Sequence, residues 1–410
     1  MDAHMTRRGM LGTAAALTAL GAGAAGASAA PAGRSLPPVK DDGRRRGTYE
    51  EQRLAGPGDW GVKNFRIPAL AVAPNGDLLA AFDKRPVHGD SPAPNSIWQR
   101  RSSDGGRTWG EPEVVRAGNE STVPGEKTGY SDPSYVVDVE TGTIFLFCVY
   151  SKDAGMWDSE YGNDDEDRMV ASANLSVSRD SGLTWEHRSL TEVVKPEDCR
   201  AMFASSGAGI QLRYGAQRGR LVQQYAGWFR NDEGGEDTSA YSVYSDDHGE
   251  TWQMGTPVGT EMDENKVAEL SDGTLMMNSR ENVRTGRRWV AFSHDGGETW
   301  EDLHRDPSLV DPGNNAQLSR AYPDAPQGSA TAKVLLFSHA DHAPDDPLNG
   351  TVQISVDDGA TWERKRVFAP GACQYSVIIP VGRDEFLLAY EGEQETIMIA
   401  RTDMDWILSR

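Results

Sequence analysis

Residues Ser102-Ser103-Asp104-Gly105-Gly106-Arg107-Thr108-Trp109 spell the pattern Ser-x-Asp-x-Gly-x-Thr-Trp. The pattern returns at Ser178–Trp185, Ser245–Trp252, Ser293–Trp300 and Ser355–Trp362, without a mismatch at any fixed position. Each copy reads as a hairpin. Apolar alternation leads into the Ser, as in Val352-Gln353-Ile354-Ser355. The Asp accepts backbone N–H bonds and the Gly tolerates positive φ, which is turn chemistry. Thr-Trp then re-enters a strand, where the indole can cover the turn. Five equivalent turns on separate units do not converge, so their aspartates read as structural.

Working outward, apolar strand-like runs recur between the boxes: Ala69–Ala73, Leu78–Phe82, Ile144–Tyr150, Leu221–Tyr225, Leu275–Asn278, Val334–Ser338 and Phe386–Tyr390. Helical periodicity is scarce, and 44 Gly with 22 Pro supply many turns. Short strands, turn signals and a long-period repeat predict an all-β chain. Units of roughly 63 residues would each hold four short strands, giving a six-bladed β-propeller of four-stranded antiparallel blades. Such a ring gathers loops from distant positions around one axis.

The composition narrows the partners. The 410 residues carry a formal charge of −21, which argues against nucleic acid and anionic membrane surfaces. The first 29 residues read as a twin-arginine signal peptide. Thr6-Arg7-Arg8-Gly9-Met10-Leu11 leads into an Ala/Gly/Leu run ending at Ala27-Ser28-Ala29, a small-residue cleavage site. Residues 30–46 read as a flexible leader and 47–410 as the propeller. No later run is long and apolar enough for a membrane helix. Cys148, Cys199 and Cys373 are odd in number and lack CxxC spacing, so they read as core thiols, and the His residues show no zinc spacing.

Phe65-Arg66-Ile67-Pro68, set ahead of the first box, together with the five boxes, resembles the secreted bacterial sialidase (neuraminidase) family from about residue 47 onward. The resemblance implies an exo-glycosidase acting on terminal α-linked sialic acid with retention, without a cofactor or metal. Its partners would be sialylated or other ulosonic-acid-bearing glycans. A secreted monomer is the expectation.

The substrate carries a carboxylate on its anomeric carbon, so an anion clamp is needed, and an arginine fork suits it. By resemblance Arg66 and Arg280 (in Met277-Asn278-Ser279-Arg280) are clamp residues. Asp90, in the polar loop Arg85-Pro86-Val87-His88-Gly89-Asp90, is the acid/base, with Asp83 as its rival. Such an acid would need a raised pKa. Tyr375 is the nucleophile and Glu264 its partner, with Glu269 a competitor. A neutral phenol escapes the repulsion that a carboxylate nucleophile would meet, and the Glu can take its proton. Glu391 would hold Arg66 in place. Arg85 and Asp132 match pocket positions that contact the sugar.

The sequence departs from the family at a third clamp arginine. The matching position holds Pro347, after Asp345 and Asp346, and no Arg lies between Arg320 and Arg364. His339, His342 or Arg320 could stand in. The substrate could instead be another ulosonic acid, such as deaminated sialic acid, or the chain could be a non-catalytic carbohydrate-binding propeller or an acidic scaffold for protein partners.

Overall fold

Strands such as Thr143–Ser151 and Met262–Glu269 are buried almost without interruption, so each sheet is covered on both faces and must pack against another on either side. Six sheets solve this by closing a ring. The computed structural model describes residues 47–342, 348–362 and 364–409. The signal and leader readings, and Asp345, Asp346 and Pro347, lie outside the described residues.

Blade one contains Asn64–Val72, Leu78–Arg85, Ser96–Ser102 and Glu113–Arg116. Blade two contains Gly129–Asp138, Thr143–Ser151, Ser172–Ser178 and Glu186–Ser189. Blade three contains Cys199–Ala204, Leu221–Arg230, Glu236–Ser245 and Gln253–Met254. Blade four contains Met262–Glu269, Leu275–Glu281, Arg287–Ser293 and Glu301–Val310. Blade five contains Gln317–Arg320, Leu335–Ala340, Leu348–Ser355 and Arg364–Ala372. Blade six contains Ser376–Gly382, Glu385–Glu391, Ile397–Asp403 and, as its outer strand, Tyr49–Ala55 from the start of the described chain. All main pairings are antiparallel. Two short segments, Gly207–Ala208 and Ile210–Gln211, add to blades two and three.

The five boxes join the third strand to the fourth in blades one to five. In the first, Ser102 Oγ donates to Asp104 Oδ1 (2.8 Å) and accepts from Gly106 N (2.8 Å). Asp104 also accepts from Thr108 N (2.9 Å) and Thr108 Oγ1 (2.6 Å). The second box repeats this set, and the Thr184 hydroxyl bond holds Asp180 down to about 2. Blade six has no box because its fourth strand comes from the other end of the chain. That closure, absent from the sequence reading, explains five boxes on six blades.

The core is divided among the blade junctions. Leu70 and Phe82 of blade one meet Leu387 and Ile399 of blade six. Phe145 and Phe147 of blade two meet Tyr225 and Tyr241 of blade three. Met276 and Val290 of blade four meet Leu335 and Phe337 of blade five. The box indoles belong to these junctions rather than merely covering turns. Trp252 of blade three sits edge-on to Phe147 of blade two, 5.0 Å between ring centroids. The three Cys are buried, as expected of core thiols, and burial pushes the Cys148 thiol up to about 12.

Trp252 therefore acts as a junction piece. Trp252→Ala is expected to cost about 3–5 kcal/mol, read by urea or thermal unfolding. A loss below about 1 kcal/mol would refute this role.

Candidate active site

The register of each blade sets two ends. In blade one Asn64 pairs with Arg85 at one end, whereas Leu78 pairs with the box residue Ser102 at the other. Blade four repeats this, with Met262 opposite Glu281 and Leu275 opposite Ser293. The starts of the inner strands and the ends of the second strands thus share the face away from the boxes. Arg66, Arg85, Asp132, Glu264, Arg280, Tyr375 and Glu391 all occupy those positions. Asp90 joins them from the loop between the second and third strands of blade one.

Local irregularities aim these groups. The ladder slips between Arg66 and Ala69, between Ser131 and Ser134, and between Met262 and Asn265. Bulges of this kind re-aim side chains near sites. Ile67 sits at φ 60 and Asp132 at φ 62, unusual for residues with a Cβ and above all for β-branched Ile. Glu391 helps hold the Ile67 conformation by accepting its N–H (2.6 Å).

Arg66 donates through Nε to Glu391 Oε1 (3.2 Å) and through Nη2 to Glu391 Oε2 (2.9 Å) and Gln374 Oε1 (3.0 Å). Its guanidinium lies 5.2 Å from the centre of the Tyr375 ring. Arg280 donates through Nη1 to Glu264 Oε2 (2.7 Å) and to Tyr375 Oη (3.4 Å), with Asp263 Oδ2 3.4 Å from its Nε. Burial opposes the charge on both arginines, but Glu391 beside Arg66, and Asp263 and Glu264 beside Arg280, outweigh it. Burial and a hydrogen bond with Glu264 hold the Tyr375 phenol well above its usual value, against the pull of Arg280 and Arg66.

Arg85 is buried and divides its fork. Nε and Nη2 donate to Asp83 Oδ2 (3.1 and 2.9 Å), and Nη1 donates to Asp90 Oδ1 (2.6 Å). Asp83 is fully buried, and burial raises it to about 6 despite Arg85. It also accepts from Asp132 N (3.2 Å). Asp83 therefore positions Arg85 and does not face the pocket, which removes it as the rival acid. Asp90 stands at the open mouth of the pocket, with its side chain largely accessible. Partial loss of hydration against the pocket walls pulls its pKa up, but Arg85, Arg66 and Arg280 together draw it below the usual value. The raised pKa expected from sequence is not present in the resting chain, because three guanidinium groups surround the carboxylate. Asp132 is held well above its usual range by burial and by Asp83, Glu264 and Asp90. Asp263 rises to about 6, again by burial first and with Glu264 adding to it.

Arg85, Asp90, Asp132, Asp263, Glu264, Arg280 and Tyr375 line a pocket of about 430 Å³, and Arg66 stands behind Tyr375 with its guanidinium over the ring. Blades two and three supply an apolar wall of Met156, Trp157, Phe203 and Trp228. Trp157 is 69% exposed and meets Trp228 edge-on at 5.6 Å. Sequence reasoning missed this wall and also Asp263. Phe203 and Trp228 lie in strands and read as core, and Asp263 is masked by its neighbour Glu264. Glu269 and Arg320 lie elsewhere. Arg320 Nη1 donates to Glu269 Oε2 (3.1 Å), and both line a separate cavity with Leu70 and Ile379. That excludes the competitor glutamate and one of the substitute cations. His339 is buried, stacked on Phe337 at 4.6 Å, and burial lowers it to about 4, so it is neutral.

A ring that brings two carboxylate-held arginines, a buried phenol with its own glutamate and a loop aspartate to one mouth defines an Asp-box propeller with a charged site at that mouth. Residues 76–386 match the BNR repeat-like domain, and the chain belongs to this Asp-box sialidase family. It is 50% identical over 384 residues to a sialidase of Micromonospora viridifaciens, covering 92% of this chain and 57% of that protein. It is 31% identical over 314 residues to a sialidase of Bacteroides fragilis (strain YCH46), covering 74% and 55%. The chain thus spans little more than half the length of these relatives. Among solved structures, the Hadza microbial sialidase Hz136 superposes with a TM-score of 0.77 at 27% identity, covering 86% of this chain and 68% of that one. The intramolecular trans-sialidase from Ruminococcus gnavus in complex with oseltamivir carboxylate gives 0.72 at 18% identity, covering 85% and 96%, a likeness of fold.

Removing Arg85 would leave Asp83 buried without its cation. Arg85→Met is expected to lose about 3–5 kcal/mol above pH 6. The loss should shrink toward pH 4, because a carboxyl whose folded pKa is raised favours the folded state when protonated and costs stability as pH rises. Unfolding curves at pH 4.5 and 8 test this; equal losses at both would contradict it.

Proposed function

We propose that this chain is an exo-α-sialidase that releases terminal α-linked sialic acid from glycoconjugates with retention, through a tyrosyl intermediate. The observation that carries the reading is the placement of Tyr375 Oη 3.4 Å from Arg280 with the Arg66 guanidinium over the ring. A nucleophile is thereby held beside the groups that would grip the substrate's carboxylate, while Glu264 is bonded to the same phenol.

Arg66 and Arg280 grip the carboxylate. Their own partners, Glu391 and Glu264, keep the forks from swinging. Tyr375 Oη attacks the anomeric carbon as its proton passes to Glu264, and the bond to the leaving oxygen breaks. Asp90 gives that oxygen a proton. Water then attacks the anomeric carbon, Asp90 takes its proton, the bond to Tyr375 breaks, and the phenolate recovers the proton from Glu264. Asp90 begins as a lowered carboxyl. A carboxylate bound on Arg66 and Arg280 would neutralise two of the three cations that lower it, and its pKa would rise toward the range an acid needs.

Arg85 and Asp132 contact the sugar substituents. The apolar wall favours an N-acylated sugar over a deaminated one, because a methyl group can be buried there. Secretion through the twin-arginine signal in residues 1–29, a leader over 30–46, and a monomer acting on sialylated glycans complete the reading. The −21 charge fits neither nucleic acid nor an anionic membrane surface.

A fluorogenic α-sialoside tests it. Tyr375→Phe and Asp90→Ala are each expected to lower kcat/KM by about 100-fold or more. Undiminished turnover in both would refute the assignment, and glycan binding without product release would favour the lectin reading. KM should rise as pH passes through about 6, because Asp263 beside Arg280 then ionises and repels the substrate. Asp263→Asn is expected to flatten that rise, and an unchanged profile would exclude Asp263 as its source.

A further inference from the structure

The inner strands run from the site face to the box face, so their last residues gather around the axis at the far end. There Leu70 and Val72 of blade one, Val137 and Val139 of blade two, Ile210 beside blade three and Ile379 of blade six enclose a cavity of about 230 Å³. Blade four adds Glu269, and blade five adds Gln317 and Arg320. The register fixes which end this is. Val72 pairs with Leu78, which pairs with the box residue Ser102. Arg320 pairs with Leu335, which pairs with the box residue Ser355. This cavity and the active-site pocket share no lining residue.

The charges in the wall are matched within the protein. Glu269 accepts from Arg320 Nη1 (3.1 Å), Arg213 N (2.8 Å) and Tyr214 N (2.8 Å). Arg320 also donates to Tyr322 O (3.2 Å) and lies over the Tyr214 ring, 4.4 Å from its centre. Its Nε has no hydrogen-bond partner among the described residues, but Glu269 balances its charge. Arg213 has Asp324 Oδ1 3.8 Å from its Nη2. An ion entering such a cavity loses water and gains little in return, so the walls suit an uncharged molecule. Gln317 adds a specific demand. It is 1% exposed and lies three residues further in than Arg320. Its Nε2 donates to Ala208 O (3.3 Å) and Leu318 O (3.0 Å), whereas its Oε1 has no hydrogen-bond partner among the described residues. A buried acceptor left unmatched is costly, and it marks a place for a donor.

We propose that the cavity on the box face is a second binding site, for a small uncharged molecule that is largely apolar and carries one hydroxyl or N–H group. The apolar walls hold its body, and Gln317 Oε1 accepts its hydrogen. A volume of about 230 Å³ is below the roughly 300–1,000 Å³ of drug-sized sites, which limits the ligand to a single ring or a short chain. The site does not depend on the reaction assigned to the other face.

The probes are p-cresol and 4-methylanisole. They share a ring and a methyl group, and only the first has a hydrogen to donate. Titration calorimetry on the whole chain is expected to show one p-cresol bound, about 10-fold more tightly than 4-methylanisole. Saturating 2-deoxy-2,3-didehydro-N-acetylneuraminic acid should leave p-cresol in place, which separates this cavity from the apolar wall of the active site. Gln317→Met keeps the length of the side chain and removes the acceptor, so the two probes should then bind within about two-fold of each other. Val139, 50% exposed at the rim, offers a change that spares the core. Val139→Trp is expected to cover the mouth and weaken both probes about 10-fold or more, at an unchanged melting temperature. No binding of p-cresol, equal affinity for the two probes in the wild-type chain, or displacement by the sialic acid analogue would overturn the assignment. So would an undiminished preference for p-cresol in Gln317→Met. Where Gln317→Met fails to fold, Val139→Trp decides, and unweakened binding of both probes to it would overturn the site.

Discussion

Glu391 holds Arg66 across 325 positions of sequence, and that contact exists only because the ring closes. The closing element is the strand Tyr49–Ala55, which pairs with Ile397–Asp403 and completes the sixth blade. It brings blade one, with Arg66, Arg85 and Asp90, against blade six, with Tyr375 and Glu391. The junction beneath is apolar, built from Phe65, Leu70 and Phe82 on one side and Val377, Leu387 and Ile399 on the other. A hydrophobic seam thus sets the distance between charged groups that have no other reason to meet. One oxygen of Glu391 serves both the guanidinium of Arg66 and the N–H of Ile67. The same carboxylate therefore fixes a side chain and the unusual backbone that aims it.

Much of this was legible in the residues. The five boxes carried strand, turn and repeat together, and Phe65-Arg66-Ile67-Pro68 carried the resemblance that singled out Arg66, although the strand read as Ala69–Ala73 runs from Asn64 to Val72. Arg66, Arg85, Asp90, Asp132, Glu264, Arg280, Tyr375 and Glu391 lie on one face because the inner and second strands alternate direction in every blade. What sequence could not supply was depth and register. Asp83 and Asp90 are both plausible acids on paper, and only the buried fork of Arg85 separates the one beneath the site from the one beside it. Glu264 and Glu269 share a strand but reach opposite ends of it, and the ladder decides which end faces the pocket. Phe203 and Trp228 look like ordinary strand residues, and that they line a cavity depends on how blade three sits beside blade two, which no local pattern encodes.

The acids of the site are as informative as its cations. Asp83, Asp132 and Asp263 are all raised by burial first, with Asp83 and Glu264 adding to the rise of Asp132 and Glu264 to that of Asp263. A cluster so placed cannot be fully ionised at once, since like charges at short range in a poorly hydrated pocket repel strongly. The arginines answer this by pairing, which keeps their forks fixed but spends part of their field on the protein itself. An anion entering the mouth meets guanidinium groups already oriented and already partly neutralised. Recognition then depends on how many forks can turn a free edge toward it, which is a matter of count and geometry more than of net charge.

In the proposed mechanism Asp90 would link this recognition to proton transfer. Its carboxyl is drawn down by Arg85, Arg66 and Arg280, and of these three Arg85 is the one bonded to it. An anion bound on Arg66 and Arg280 weakens the remote part of that pull and leaves the direct bond in place. Linkage makes the effect mutual. If the anion raises the affinity of Asp90 for a proton, protonation of Asp90 raises the affinity for the anion by the same factor. On the proposed reading the loaded pocket would be the protonated pocket, and an acid that is ionised at rest would gain its proton with the ligand.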